Sequence, residues 1–294
     1  MGYNPSFFVE ICILFLYNQI AMIHLLLGGN AKVQDDVLLI VLSYLAHNDE
    51  PVTFHFLTFG LPDVNPNFRA FSDEKAAYLD KLLKERLPGS AFIKIDAAPY
   101  AKGELIESRF VKTHYGPYAL LRLYADLIPS LPEKLLYIDC DVLFSGNVSS
   151  MYHEDLEDYE FAACYDQLGT FWIAADYQNS GVLLMNMPRI KETGLLEKCR
   201  AFLMKHKPIL FDQDALNKLV LKKKFLPQVY NEQKKERDET IIRHFSRTIR
   251  WIPFFHLQTI KPREEERVHK VLKNHYHDDI YAEYHKIEKD YHID

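Results

Sequence analysis

The chain has no surplus of positive charge. Its 35 Lys and Arg stand against 41 Asp and Glu, a formal net charge of −6 over 294 residues. Proteins that grip nucleic acid through its phosphates carry a basic excess, so no nucleic-acid partner is expected. Cysteine is scarce. Cys12, Cys140, Cys164 and Cys199 fit neither a paired zinc-ligand spacing nor a redox Cys-X-X-Cys, and point to a reduced, cytoplasmic setting. Gly/Ser linkers and internal repeats are absent, which argues for one main domain with trimmings. No Lys or Arg precedes Lys32, so a secretory leader with a basic n-region is not expected. The apolar stretch "FFVEICILFLY" (7–17) is interrupted by Glu10 and falls short of the roughly 20 residues that span a bilayer. Residues 1–21 read as an N-terminal extension, either inert or a membrane-touching helix on the inner face.

What the chain does have is apolar content, 48% hydrophobic and 13% aromatic. That suffices to bury roughly three quarters of the unfolded surface around one core. From Met22 onward, strand and helix patterns alternate. "IHLLL" (23–27) is a short apolar run ending at the Gly28-Gly29-Asn30 turn. The spacing of Val37, Leu38, Val41, Leu42 and Leu45 predicts a helix over 35–48. A strand follows at 52–59. A helix over 72–87 has Ser72 as N-cap, and a strand follows at 91–97. The stretch 118–128 reads as a mostly buried helix stopped at Pro129, and "LLYIDCDVLF" (135–144) as the next strand. Further strands are expected at 161–166 and 181–187, and helices at 190–207 and 212–224. This β–α–β–α order predicts an α/β fold with a mostly parallel central sheet flanked by helices. From residue 264 the chain turns charged and rich in His and Tyr, and reads as a C-terminal helical segment.

Two aspartates, Asp139 and Asp141, interrupt the apolar run 135–144. An unpaired buried carboxylate costs several kcal/mol, so something cationic should meet them. In an extended chain, residues two apart point the same way, so both carboxylates can converge on one ion. Hard oxygen donors suit Mg²⁺ or Mn²⁺, which can in turn hold a diphosphate. The place fits, because ligands of parallel α/β sheets sit at the carboxyl ends of strands. Two reaction classes use such a pair. A haloacid-dehalogenase-type phosphatase uses Asp-X-Asp followed by a hydroxyl-bearing residue, but Leu143 stands there. The other class is sugar transfer from a nucleotide sugar.

Other polar residues allow both structural and chemical readings. "QNSGVLLMN" (178–186) puts Asn179 at a turn into a buried strand, where an ordinary Asn-Ser-Gly turn competes with an amide that reads sugar hydroxyls. "FDQDALN" (211–217) puts Asp212, Gln213 and Asp214 at the start of a helix, and capping explains only one carboxylate. Arg122 lies four residues before Asp126, so an ion pair along the helix surface competes with a site role. His244 ends the strand-like run "TIIRHFS", where a lone histidine is ordinarily structural.

Taken in order, "LLLGGNAKVQDDVLLIVLSYL", "GPYALLRLYADLIP", "LLYIDCDVLF", "NSGVLLMN", "FDQDALN" and "RHFSRTIRW" resemble the family 8 retaining glycosyltransferases. That is the galactosyltransferase and glycogenin group with the GT-A fold, and the likeness is strongest to a bacterial subgroup. It runs from about Met22 to the C-terminus and implies a GT-A catalytic domain over 22–263. It also implies that Asp139, Asp141 and His244 bind Mn²⁺, with Mg²⁺ as the second choice. His256 lies nearer Lys261-Pro262, but His244 matches the family's His-aromatic pair. Asn30 would lie near the uridine, with Cys140 beside the donor. Arg122 would lie near the donor sugar and diphosphate, and Lys261 would reach the diphosphate. Asp166 and Asn179 would contact the donor sugar, Asp212 would hold sugar hydroxyls, and Gln213 would sit beneath the anomeric carbon. Arg122, Asp212 and Gln213 would be the catalytic group. Two departures stand out. Gly28-Gly29 replaces a position often acidic, and Arg263 stands where a tryptophan is expected after Lys261-Pro262.

The expected activity is transfer of a hexose from UDP-glucose or UDP-galactose to a glycan, lipid-linked or protein acceptor, with retention. The rivals are a metal-dependent phosphatase or sugar-nucleotide hydrolase, and a non-catalytic UDP-sugar-binding subunit of a partner transferase.

Overall fold

A computed structural model describes residues 22–107, 116–250 and 256–292. The extension read over 1–21 lies outside the described residues, as do Trp251 and the Pro253-Phe254-Phe255 run.

The first half forms as the apolar pattern requires. β1 (Ile23–Gly28), α1 (Gln34–His47), β2 (Val52–Thr58), α2 (Asp73–Arg86) and β3 (Ala91–Asp96) alternate. β1 pairs in parallel with β2, and β2 with β3. Ser72 caps α2 as expected, its hydroxyl accepting from the Lys75 amide at 3.3 Å. Six consecutive residues of α1, Val37 to Leu42, are buried, so this helix is covered on all sides.

β4 (Lys134–Ile138) then pairs in parallel with the other edge of β1, in the register Leu25↔Leu136 and Leu26↔Tyr137. The chain has built outward from β1 in one direction and now builds in the other. The carboxyl ends of β1 and β4 therefore flank a topological switch point, the place where open α/β sheets bind their ligands. β6 (Phe161–Tyr165) and β7 (Gln178–Asn186) follow, with β8 (Lys223–Phe225) at the edge, giving the order β3-β2-β1-β4-β7-β6-β8. β7 is antiparallel to both β4 and β6. The expectation of a mostly parallel, helix-flanked sheet holds.

Strand alternation divides the core between the two faces of the sheet. Leu25, Leu27 and Ile138 pack with α1 and α2, while Leu26, Leu57 and Tyr137 pack with helices of the opposite face. Ile280, Tyr281 and Tyr291 of α6 (Asp278–Tyr291) join the first of these clusters. Among the described residues no helix is long and apolar enough to cross a membrane.

Four local expectations change. The run 135–144 is two strands, because the chain turns at Asp139–Asp141 and resumes as β5 (Val142–Phe144), which pairs with β9 (Ile242–His244). The helix expected over 118–128 is a tighter 3₁₀ helix, Pro117–Leu127. The helix expected over 190–207 is two, Met187–Thr193 (α3) and Leu195–Lys205 (α4), separated at Gly194. Gly194 adopts φ 67°, which glycine reaches without strain, and caps α3. α5 (Asp212–Leu219) stops short of residue 224 because Lys223–Phe225 pairs with β6 instead.

Candidate active site

The turn after β4 brings Asp139 and Asp141 to the switch point. β5 carries the chain away, and its partner β9 delivers His244 opposite Val142. One oxygen of each carboxylate and a ring nitrogen of His244 lie within 4.8 Å of one another. His244 Nε2 is 3.3 Å from Asp141 Oδ1 and 3.9 Å from Asp139 Oδ2. The other ring nitrogen, Nδ1, meets Asn231 Oδ1 at 3.0 Å, and Asn231 Nδ2 donates to Asn179 Oδ1 at 2.9 Å. With its amide so oriented, Asn231 must accept from His244 Nδ1–H. The Nε2 lone pair then faces the two carboxylates. Three electron-pair donors converging with a fixed tautomer fit a divalent cation, and the amide behind the imidazole is the support such ligands need.

The glycine of "NSG" has a definite cause. A Cβ on Gly181 would come within 2.3 Å of the His244 ring and 2.9 Å of Asp139 Oδ2. The carboxylate–imidazole cluster is packed directly on this backbone. Asn179-Ser180-Gly181 is accordingly the start of β7 and not a turn before it, and the Asp139 amide donates to the Gly181 carbonyl at 2.8 Å.

Arg122 is only 5% exposed. Its Nη2 lies 2.8 Å from Asp139 Oδ1 and its Nε 3.1 Å from Asp212 Oδ2. It also donates to the Ser180 carbonyl, and its guanidinium lies over the Tyr137 ring at 4.1 Å. The surface pair with Asp126 is not formed, because Asp126 binds Arg200 at 2.6 Å. Burial opposes the Arg122 charge, but Asp139 and Asp212 outweigh it and hold the guanidinium firmly protonated. Burial raises the Asp212 carboxyl above the ordinary carboxylate range. Arg122 pulls it back only in part, because the guanidinium is shared with Asp139. Asp212 Oδ2 has no aligned hydrogen-bond donor, so a buried oxygen keeps acceptor capacity. Phe211 just before it adopts φ 50°, a region a bulky residue enters only when its surroundings impose it.

Gln213 and Asp166 complete one connected polar set. Gln213 Oε1 accepts from the Ser180 amide at 2.9 Å, and its Nε2 donates to Asp166 Oδ2 at 3.2 Å. Asp166 Oδ2 also accepts from Asn179 Nδ2 at 2.7 Å. The Asp166–Asn179–Asn231 chain thus links Gln213 to His244. Asp214 turns elsewhere, binding the Tyr177 hydroxyl and, at 2.8 Å, the Leu210 amide.

On the opposite wall, the Cys140 thiol reaches the Gly28 carbonyl at 3.5 Å, joining the ends of β4 and β1. Asn30 is buried, and its Oδ1 accepts from the Lys32 amide at 3.1 Å as a cap. Lys261 Nζ lies 2.7 Å from Asp141 Oδ2. Burial would raise the Asp141 carboxyl, but the positive charge beside it, Lys261 foremost, holds it well below the usual carboxylate range. The His256 side chain lies outside the described residues, although its backbone forms β11 (His256–Gln258) with β10 (Thr248–Arg250).

Of the candidates from the sequence, Arg122, Asp139, Asp141, Asp166, Asn179, Asp212, Gln213, His244 and Lys261 are joined by these contacts, while Asp214 turns away. The sequence reading missed Asn231, Ser180 and the hydroxyl of Tyr137, which donates to Asp139 Oδ1 at 2.6 Å. Asn231 is fully buried in an irregular stretch between β8 and β9, and no spacing marks it. Tyr137 alternates with Ile138 across the sheet and carries only the signature of a core residue.

The comparisons agree with this architecture. Among curated proteins, general stress protein A of Bacillus subtilis is 26% identical over 159 residues, 50% of this chain and 54% of that protein. The lipopolysaccharide 1,2-glucosyltransferase of Escherichia coli is 30% identical over 124 residues, 37% of each chain. The chain thus spans about half or less of these relatives. The crystal structure of galactosyltransferase LgtC in complex with donor and acceptor sugar analogs is 17% identical. It superposes with a TM-score of 0.58 over 76% of this chain and 86% of that one, a likeness of GT-A fold. The model for glycosyl transferase family 8 matches residues 38–253, most of the described domain, and the chain belongs to that family.

Proposed function

We propose that this family 8 glycosyltransferase moves a hexose from UDP-glucose or UDP-galactose, with retention, to a glycan, lipid-linked or protein acceptor. The observation that carries this reading is the joining of the Asp139–Asp141–His244 cluster to the Arg122–Asp212–Gln213 set at the carboxyl ends of β1 and β4. The domain would be residues 22–263. The relatives' names support a sugar-bearing acceptor, the E. coli protein being a lipopolysaccharide glucosyltransferase. Cys140, Cys164 and Cys199 are free thiols, which supports a cytoplasmic setting.

Asp139, Asp141 and His244 would hold Mn²⁺, or Mg²⁺ less well, since an imidazole nitrogen favours the later transition ion. When bound, that ion would supply positive charge to the departing UDP diphosphate. Lys261, in the segment 260–264 that precedes the C-terminal helices, adds a second cation, and its pKa lies above lysine's ordinary value because Asp141 outweighs burial. Arg122 pairs with Asp139 and fixes Asp212, whose carboxylate would accept a donor-sugar hydroxyl. Asn179 and Asp166 would orient the sugar ring. Asn30 and Cys140 would line the nucleoside side. Gln213 is a neutral amide held at both ends, so it would position the sugar and not attack it. Front-face displacement, with a donor phosphate oxygen taking the acceptor's proton, is the mechanism this arrangement favours.

The test is a screen of UDP-sugars with Mn²⁺ against pooled acceptors, reading free UDP and product mass together. The expected result is acceptor-dependent UDP release with a product heavier by one hexose. Release of free sugar regardless of acceptor would mean a hydrolase. Tight UDP binding without turnover would mean a non-catalytic subunit.

A further inference from the structure

Asp36 is a charged residue that the reaction above does not use. It lies in the first turn of α1 and is 1% exposed, the kind of carboxylate a core excludes unless it is paired. Its partner comes from the far end of the chain. The Arg263 guanidinium pairs with Asp36 Oδ2, and the Arg263 backbone amide approaches Oδ1 at 3.3 Å. One carboxylate therefore grips both the side chain and the backbone of one residue. That residue follows Lys261 by two positions, and Lys261 Nζ is 2.7 Å from Asp141.

The rest of the short strap is held as closely. The Lys261 amide donates to Glu264 Oε2 at 2.7 Å, and the Glu264 amide to the Lys261 carbonyl at 2.9 Å. The Tyr281 hydroxyl of α6 donates to the Pro262 carbonyl at 2.7 Å. α6 is itself tied to the start of α1, with the Tyr291 hydroxyl on the Gln34 carbonyl at 3.0 Å and His292 on Asp35 at 3.0 Å. The start of α1 and the C-terminal helix thus clamp residues 260–264 between them.

We infer that Arg263 and Asp36 are positioning residues that fix the strap so that the Lys261 ammonium stands over the carboxylate cluster where a nucleoside diphosphate would bind. This rests on the functional reading above. A buried ion pair is weak evidence for stability and better understood as fixing a geometry. Here the geometry fixed is that of a lysine two residues away, and Tyr281 makes the C-terminal segment part of the donor site's frame.

The experiment is a double-mutant cycle on UDP affinity, by calorimetry in Mn²⁺, with Arg263→Met, Lys261→Met and both. Amide exchange over residues 260–264 and melting temperature are followed in parallel. Arg263 is 39% exposed at its side chain, so its loss should leave the fold standing. Asp36→Asn keeps the shape and tests the same pair from the other side. Arg263→Met and Asp36→Asn should each weaken UDP about tenfold and speed exchange in the strap. Lys261→Met should weaken UDP about tenfold in the wild-type background and less than twofold in the Arg263→Met background. Independent, multiplying effects of Arg263 and Lys261, or UDP affinity within twofold of wild type in Arg263→Met, would overturn the inference. A wild-type protein that binds no UDP would instead remove the functional reading on which it rests.

Discussion

Arg122 and Asp139 lie 2.8 Å apart across the gap between the 3₁₀ helix and the end of β4, and the same guanidinium reaches Asp212 at 3.1 Å. One buried cation thus holds a carboxylate of the carboxylate–imidazole cluster and a carboxylate beside Gln213 in fixed relation. Removing it leaves two poorly solvated carboxylates facing each other. Arg122→Met should cost roughly 3–5 kcal/mol, a drop in melting temperature on the order of 10 °C, and should abolish detectable transfer. Arg122→Lys should restore part of the stability but little activity, since one ammonium cannot span both carboxylates and the Ser180 carbonyl. Calorimetric melting and UDP release on the two variants check this. Full activity in Arg122→Lys would show that the bridging geometry is dispensable.

This role was not legible in the sequence, and the reason is specific. Position 126 offers an aspartate at helical spacing, and only tertiary structure shows that Arg200 claims it. By contrast, the two acidic positions of "IDCD" were visible as an oddity, because they break an otherwise apolar run. The sheet was legible too, because short apolar runs and β-branched or aromatic content read directly as β1 to β4. What could not be read were the places where partners are distant in sequence. Examples are β8 ending α5 early, Asn231 behind His244, and Asp36 gripping Arg263 across 227 positions.

Asn231 supports the imidazole without touching the cluster's open side. Asn231→Leu removes the acceptor that fixes the His244 tautomer while filling similar volume. Supporting residues of this kind typically change metal affinity by about 10–100-fold. Mn²⁺ binding followed by paramagnetic broadening should weaken by that amount, with the secondary structure unchanged. His244→Ala should go further and erase the preference for Mn²⁺ over Mg²⁺. If Asn231→Leu binds Mn²⁺ as tightly as wild type, the imidazole needs no second support.

The buried Asp36 makes stability depend on pH in a direction unusual for an acid. Burial pushes its pKa up to about 7, with Arg263 opposing only in part. The unfolded chain titrates it near 3.8, so between about pH 4 and pH 7 the folded state holds the extra proton. Its contribution is therefore full below pH 4 and is lost as pH rises to 7, by on the order of a few kcal/mol. Asp36→Asn should flatten this slope, so the stability difference between variant and wild type should grow in the variant's favour from pH 5 to pH 8. Denaturant titrations at both pH values measure it. A difference independent of pH would mean that Asp36 titrates normally. The same charge that costs stability at pH 8 is the one that can grip Arg263, so the variant should be the more stable and the weaker UDP binder.

Apolar side chains that the fold leaves in solvent offer a face for the acceptor proposed above. Phe171 is 77% exposed, Trp172 64% and Ile209 84%. Neighbours of these residues, Ile173, Tyr177, Pro208 and Asp214 among them, line a cavity of about 550 Å³ that also takes in Ile209 and adjoins α5. Asp214 and Asn217 of α5 line this cavity, on the side of the helix away from the Gln213 contacts to Ser180 and Asp166. Sugar rings carry apolar faces that pack on aromatic planes, and side chains so exposed have little structural work to do. Trp172→Ala and Ile209→Ala should therefore leave the melting temperature within about 1 °C, surface changes of this kind being near neutral. UDP affinity should also be unchanged, because neither residue touches the carboxylate–imidazole cluster or the strap. Acceptor KM should rise about tenfold for each, with slow hydrolysis of the UDP-sugar unaltered. The informative pair of measurements is acceptor KM against acceptor-free UDP release. Should both rise or fall together, these loops shape the donor pocket and the acceptor must enter from another side of α5.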